Sequence, residues 1–132
     1  MKRIAEAVVS PTGPNYAQSI ETAGHSLMAD EAMAAGGQNA GPGPYDLLLS
    51  ALGACTAITL KMYADRKGWS IGALRVALTL DKDHDGNTFI ARQLSSDAPL
   101  EAAQWDKLLE IAEKTPVTRT VRTGASITTT RE

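Results

Sequence analysis

The sequence predicts an α+β domain in which antiparallel strands wrap round one long helix. Three observations predict it. Residues 43–68, GPYDLLLSALGACTAITLKMYADRKG, form the longest stretch without a breaker and the most apolar one. Short alternating segments, bounded by Gly-, Pro-, Asn- and Asp-rich turns, lie on both sides of it. No βαβ alternation with a Gly-rich phosphate loop occurs, so a doubly wound sheet is not expected. The order read from the chain is β-β-β-α-β-β-α-β.

The strands come first. Residues 2–10 are rich in β-branched and small side chains and read as a strand. Pro11-Thr12-Gly13-Pro14-Asn15 is a strong turn signal. Residues 16–22 alternate, Ala23-Gly24 is a short turn, and residues 25–29 make a third strand. Short connections imply an antiparallel meander. Residues 30–43 then lose all periodicity and hold Gly36, Gly37, Gly41, Pro42 and Gly43. A loop of that length in a small domain is often functional.

Pro44 suits the first position of the central helix, where its missing N–H is no loss. The helix is expected to stop at Gly68, behind Arg66 and Lys67, whose charges favour its carbonyl end. Residues 71–82 alternate as a half-buried strand. Asp83-His84-Asp85-Gly86-Asn87 is a hairpin turn, and residues 88–95 are the returning strand. A second helix is expected over residues 100–114, with Trp105, Leu108, Leu109 and Ala112 inward. Asp97 or Glu101 can serve its N-terminal end. Thr115-Pro116 ends it. Residues 121–130, with Thr at alternate positions, read as a last strand.

At 132 residues the chain is expected to be a single domain, residues 1–132. Only 5% of it is aromatic, so its core must be aliphatic. The net charge is −2 and no Lys/Arg block extends beyond Arg66-Lys67, so no nucleic-acid partner is expected. The opening MKRIAEAVV lacks the sustained apolar run of a signal peptide. Cys55 is the one cysteine. It cannot form an internal disulfide, and a free thiol suits a reducing compartment, so a cytoplasmic protein is expected.

The central helix is about as long as a membrane span. Asp46, Lys61, Asp65, Arg66 and Lys67 argue against lipid, since charge at membrane depth is costly. Leu48, Ala51, Leu52, Ile58, Thr59 and Met62 share the face of Cys55, and Asp46, Ser50 and Lys61 lie opposite. A helix apolar round most of its girth is hard to bury in so short a chain. A second copy of the chain would complete the burial, so a homodimer is expected.

Each chemical candidate has a plain reading beside the functional one. Cys55 is a small core side chain or a nucleophilic thiolate, and the latter needs a nearby cation and some access. His25 is a strand residue or the partner of Cys55 in a Cys-His arrangement. His84 is a solvated turn residue. Asp46 is a first-turn acid favoured by the helix dipole or a site carboxylate. No CxxC or HExxH motif occurs, and no metal or cofactor is expected.

The stretch GPGPYDLLLSALGACTAITLKMYADRKGW resembles the signature of the OsmC/Ohr superfamily. It has a Gly-Pro-rich loop, an acidic residue, an apolar helix, a Gly-Ala-Cys step and a charged end. ADEAMAAGG before it and LLEIAEKTPVTRTV after it resemble the same family. The resemblance implies an intertwined α+β homodimer, its two long helices packed together with the strands wrapped round them. It implies sites at the dimer interface, where a thiolate attacks the O–O bond of an organic or fatty hydroperoxide. The sulfenic acid formed is the first step of thiol oxidation. A second cysteine then condenses with it, and thiols or lipoylated proteins reduce the disulfide.

By the same resemblance Cys55 matches the peroxidatic cysteine. The resolving cysteine falls at Thr115. The family reads Lys-Cys-Pro-Val-His-Arg-Thr there, and this chain reads Lys114-Thr115-Pro116-Val117-Thr118-Arg119-Thr120, so the His becomes Thr118. The acidic position of the peroxidase branch is Tyr45, with Asp46 one place later. Arg3, Arg66 and Arg119 are the candidates for an activating guanidinium. The sequence thus supports a one-cysteine peroxidase that uses an external thiol reductant. Its rival is a dimer that kept an apolar pocket for a small molecule and lost turnover.

Overall fold

The computed structural model describes residues 1–132. It is α+β, with two antiparallel sheets and three α-helices. The chain divides into two compact units, residues 1–48 and 49–132.

The first unit holds the meander β1 (Ala7–Pro11), β2 (Gln18–Thr22) and β3 (His25–Ala29), in the order β1-β2-β3. Strand β1 pairs with β2 from Ala7 opposite Thr22 to Pro11 opposite Gln18. Strand β2 pairs with β3 from Gln18 opposite Ala29 to Thr22 opposite His25. Ala23 and Gly24 make the two-residue turn between them with φ of 50° and 79°. Positive φ at both positions is what a tight hairpin with the natural strand twist requires. The loop that follows contains one 3₁₀ turn, Met33–Ala35.

Asp30 organises that loop. Its carboxylate is buried and accepts the N–H groups of Glu31, Gln38 and Ala40 at 2.7, 3.1 and 3.0 Å. Its own N–H donates to the Pro42 carbonyl. The Ala40 N–H, followed by those of Glu31 and Gln38, holds its carboxyl below the ordinary value, against burial, which acts the other way.

Helix α1 (Pro44–Lys67) has the bounds that Pro44 and Gly68 predict. Gly68 takes φ of 70° and the Trp69 N–H closes on the Ala64 carbonyl. In the second unit, β4 (Arg75–Lys82) and β5 (Thr88–Ser95) form a hairpin in register from Arg75 opposite Ser95 to Lys82 opposite Thr88. Strand β4 starts four residues later than the alternation suggests. Ile71 is buried in the core instead, and Gly72 turns the chain with φ of 65°. A Cβ there would meet Asp97 Oδ1 at 2.3 Å and Ala98 Cβ at 2.8 Å, so only glycine fits. Asp97 accepts the Ala73 N–H rather than serving a helix end.

Helix α2 (Ala102–Ala112) begins where Gln104 reaches back to the Glu101 N–H. Leu60 and Ala64 of α1, Ile71, and Leu108 and Ala112 of α2 form the buried core. Trp69, Leu94 and Trp105 pack round it.

The last expected strand is absent. Residues 116–123 form helix α3 (Pro116–Thr123), and residues 124–132 carry no regular structure. The strand expected over residues 121–130 overlaps this helix at residues 121–123, and strand propensity at Val121 and Thr123 is a weak preference that context overrides. Pro116 stands at the first helical position and Thr115 at the N-cap position. The Gly124 N–H ends the helix on the Thr120 carbonyl. Thr118 is buried, which ties this helix to the unit's interior.

Candidate functional site

Cys55 lies three turns into α1. Leu52, Gly53, Thr56, Leu60 and Ala64 face inward and are buried. The neighbours of Cys55 on its own face, Ile58 and Met62, are 55% and 59% exposed. Cys55 itself is half-buried, and its Sγ lies 4.0 Å from the Thr59 hydroxyl. The thiol therefore sits at the edge between the core and an open apolar stripe.

The next residue, Thr56, points about 100° further round the helix and is fully buried. Its hydroxyl donates to the Leu52 carbonyl at 2.7 Å and accepts from Arg92 Nη1 at 2.8 Å. The same Nη1 donates to the Thr118 hydroxyl at 2.9 Å, and Nη2 donates to the Ala112 carbonyl at 2.9 Å. Thr115 Oγ1 is 2.6 Å from Thr118 Oγ1. One guanidinium thus joins α1, the C-terminal end of α2 and α3. Its carboxylate partner is Glu113 at 3.7 Å, which also pairs with Arg122.

Arg92 is the functional candidate that sequence reasoning missed. Arg3 pairs with Glu6 at the surface, and Arg66 and Arg119 are exposed. The signal for Arg92 lay in the alternation of β5, where Ile90, Arg92 and Leu94 share the more buried register. A charge in an apolar register needs buried partners. Those partners lie 36 and 26 residues away, at Thr56 and Thr118, and no local pattern names them.

The other sequence candidates are placed as follows. Asp46 accepts the Gly43 N–H at 2.9 Å, the contact an acid at the third helical position makes with the N-cap N–H. Thr115, where the resemblance places a second cysteine, is buried at the start of α3. His25 is exposed at the end of β3, and His84 is exposed in the β4–β5 turn. No three His, Cys, Asp or Glu side chains converge where they could hold a metal ion. An open groove of about 430 Å³ runs between α1 and β4. Ser50, Gly53, Ala54 and Ala57 line one wall, and Val76 and Leu78 the other; Cys55 is not in the lining.

The sequence model of the family described as OsmC-like protein matches residues 36–130. The chain belongs to that family. Solved OsmC-type structures share its fold at low identity. An OsmC-like protein from Mycoplasma pneumoniae is 18% identical, with a TM-score of 0.78 over 92% of this chain and 89% of that one. An organic hydroperoxide resistance protein OsmC from Legionella pneumophila is 17% identical, with a TM-score of 0.69 over 91% and 90%. The organic hydroperoxide resistance protein OhrB of Bacillus subtilis is 21% identical, with a TM-score of 0.63 over 92% and 93%. A comparison with proteins of curated function finds no match. In this OsmC-like chain Thr115 is bound through Thr118 into the Arg92 cluster.

Proposed function

We propose that this OsmC-like protein reduces organic hydroperoxides through Cys55 alone, with an external thiol as reductant. The observation that carries the reading is the placement of Cys55, half-buried on an apolar helix face that stays open in the single chain. The names of two similar structures, both organic hydroperoxide resistance proteins, support the substrate class. The Cys55 thiolate attacks the terminal peroxide oxygen, the O–O bond breaks, and the departing alkoxide takes a proton to leave as an alcohol. Cys55 is then a sulfenic acid. A small thiol or a lipoylated protein condenses with it and releases water. A second thiol reduces the mixed disulfide and restores Cys55. With Thr115 in place of a second cysteine, no step forms an intramolecular disulfide. A reducing cytoplasm fits such a cycle.

The partner on the Cys55 face is a second copy of the chain. Ala51, Ile58 and Met62 offer small and flexible apolar side chains round the thiol. A dimer is expected in size-exclusion chromatography with light scattering, and Ile58→Asp with Met62→Asp is expected to give monomers. A wild-type monomer at micromolar concentration would remove this part of the reading.

The peroxidase reading is tested with cumene hydroperoxide and dithiothreitol. Wild-type protein is expected to consume the peroxide, with a sulfenic acid trapped by dimedone, and Cys55→Ser to do neither. Equal consumption by both proteins would sink it. A second reading, an apolar small-molecule binder without turnover, is favoured by the groove between α1 and β4. It predicts that a hydrophobic dye binds wild type and Cys55→Ala alike and that Ala57→Phe blocks it.

A further inference from the structure

We propose that Arg92 is a positioning residue for Cys55, acting through Thr56. The inference rests on the proposed function only in taking Cys55 as the reacting group. Arg92 stands in the more buried register of β5, and its side chain is 13% exposed. Nothing on its own strand explains a guanidinium there. Its partners are a hydroxyl of α1, a hydroxyl of α3 and a terminal carbonyl of α2.

The geometry at Thr56 makes the link to Cys55. Thr56 Oγ1 is bound on one side to Leu52 O and on the other to Arg92 Nη1. These two bonds clamp the turn from Leu52 to Thr56, and Cys55 lies inside that turn. Apolar contacts would hold α1 in place but leave the turn free to rotate slightly. Directional bonds to a charged donor fix its azimuth. Cys55 projects about 100° round the helix from Thr56, so the azimuth of that turn sets where Sγ stands relative to Thr59 and the open face. In-line attack on an O–O bond is sensitive to such placement.

The clamp is also hard to release. Thr56, Thr115 and Thr118 are all buried, and every buried side-chain polar atom has a partner. The protons close consistently. Thr118 donates to Ala112 O at 3.3 Å, Thr115 donates to Thr118, and Thr118 accepts from Arg92. The segment where the family resemblance places a cysteine and a histidine here supplies two hydroxyls to the clamp.

The test reads Cys55 directly, without peroxide. The rate constant for alkylation by iodoacetamide is measured on the folded full-length protein from about pH 6 to about pH 10. Thr56→Val and Thr118→Val remove one hydroxyl each at nearly constant volume. Each is expected to change the high-pH plateau or the midpoint of the profile, the plateau by about threefold or more. Thr56→Ser and Thr118→Ser, which keep the hydroxyl, are expected to stay within about twofold of wild type. A purely structural clamp lowers the melting temperature of the Val variants but leaves plateau and midpoint unchanged, and that result overturns the proposal. Should Thr56→Val fail to fold, Thr118→Val decides, because it reaches α1 through the shared Nη1 of Arg92. Altered alkylation in a protein that consumes no peroxide would retire the peroxidase reading and leave the positioning role standing.

Discussion

Gly53→Ala sets two effects of opposite sign against each other inside the groove. Gly53 is buried in the middle of α1. Replacing glycine by alanine in a helix interior stabilises by about 1 kcal/mol, because the unfolded chain loses freedom and the helix gains a better former. The added Cβ would stand 2.8 Å from Leu78 Cδ1, well inside ordinary contact. Leu78 must therefore move. In a tightly packed interior such overfilling costs about 1–3 kcal/mol. Here the obstacle is the far end of a flexible side chain on the wall of an open groove, and turning it within its well costs about 0.5–1.5 kcal/mol. The two effects nearly cancel, and Gly53→Ala is expected to lie within about 1 kcal/mol of wild type. In a Leu78→Ala background the obstacle is gone, and the same substitution is expected to stabilise by the full helical gain of about 1 kcal/mol. Urea unfolding at one fixed protein concentration, followed by the fluorescence of Trp69 and Trp105 beside the core, measures all four proteins. A loss of about 2 kcal/mol or more in Gly53→Ala, unrelieved by Leu78→Ala, would refute the reasoning, since Leu78 would not be the limiting contact.

Leu60 is fully buried among Ala64, Ile71, Leu108 and Ala112, so Leu60→Ala is expected to lose about 2–5 kcal/mol in the same unfolding assay; a loss under about 1 kcal/mol would show that the core collapses round the gap. Asp30→Asn replaces an acceptor of three N–H bonds by an amide and is expected to speed limited proteolysis within residues 31–43 at neutral pH. Because the folded pKa of Asp30 is lowered, its stabilisation is present above the ordinary carboxylate value and fades as pH falls through the lower, folded one. In wild type, protection of that loop should therefore fall only below the ordinary carboxylate range. Equal cleavage rates for wild type and Asp30→Asn at neutral pH would show that the loop is held by other contacts.

Much of this fold was legible because its signals are local. Pro44 and Gly68 bracket α1 to the residue, and Ala23-Gly24 and Asp83–Asn87 fix two hairpins whose registers follow from their turns. The thiol in a long apolar helix, with its flanking motif, was enough to point to the OsmC-like family. What was not legible depends on partners far along the chain. Thr-rich residues 121–130 read as strand, but residues 121–123 close a helix that Pro116, Gly124 and the burial of Thr118 set, and the rest carries no regular structure. Arg92 read as one more residue of the returning strand. Its meaning comes from Thr56 and Thr118, at separations of 36 and 26 residues. The sequence by itself determined the α+β class, the central helix, its single thiol and the absence of a second one. Only the tertiary structure decided which face of that helix stays open and which guanidinium binds Thr56, the residue after the thiol. Helix ends and turns are set by neighbours in the chain, whereas a buried charge is placed by whichever oxygens the fold brings to it.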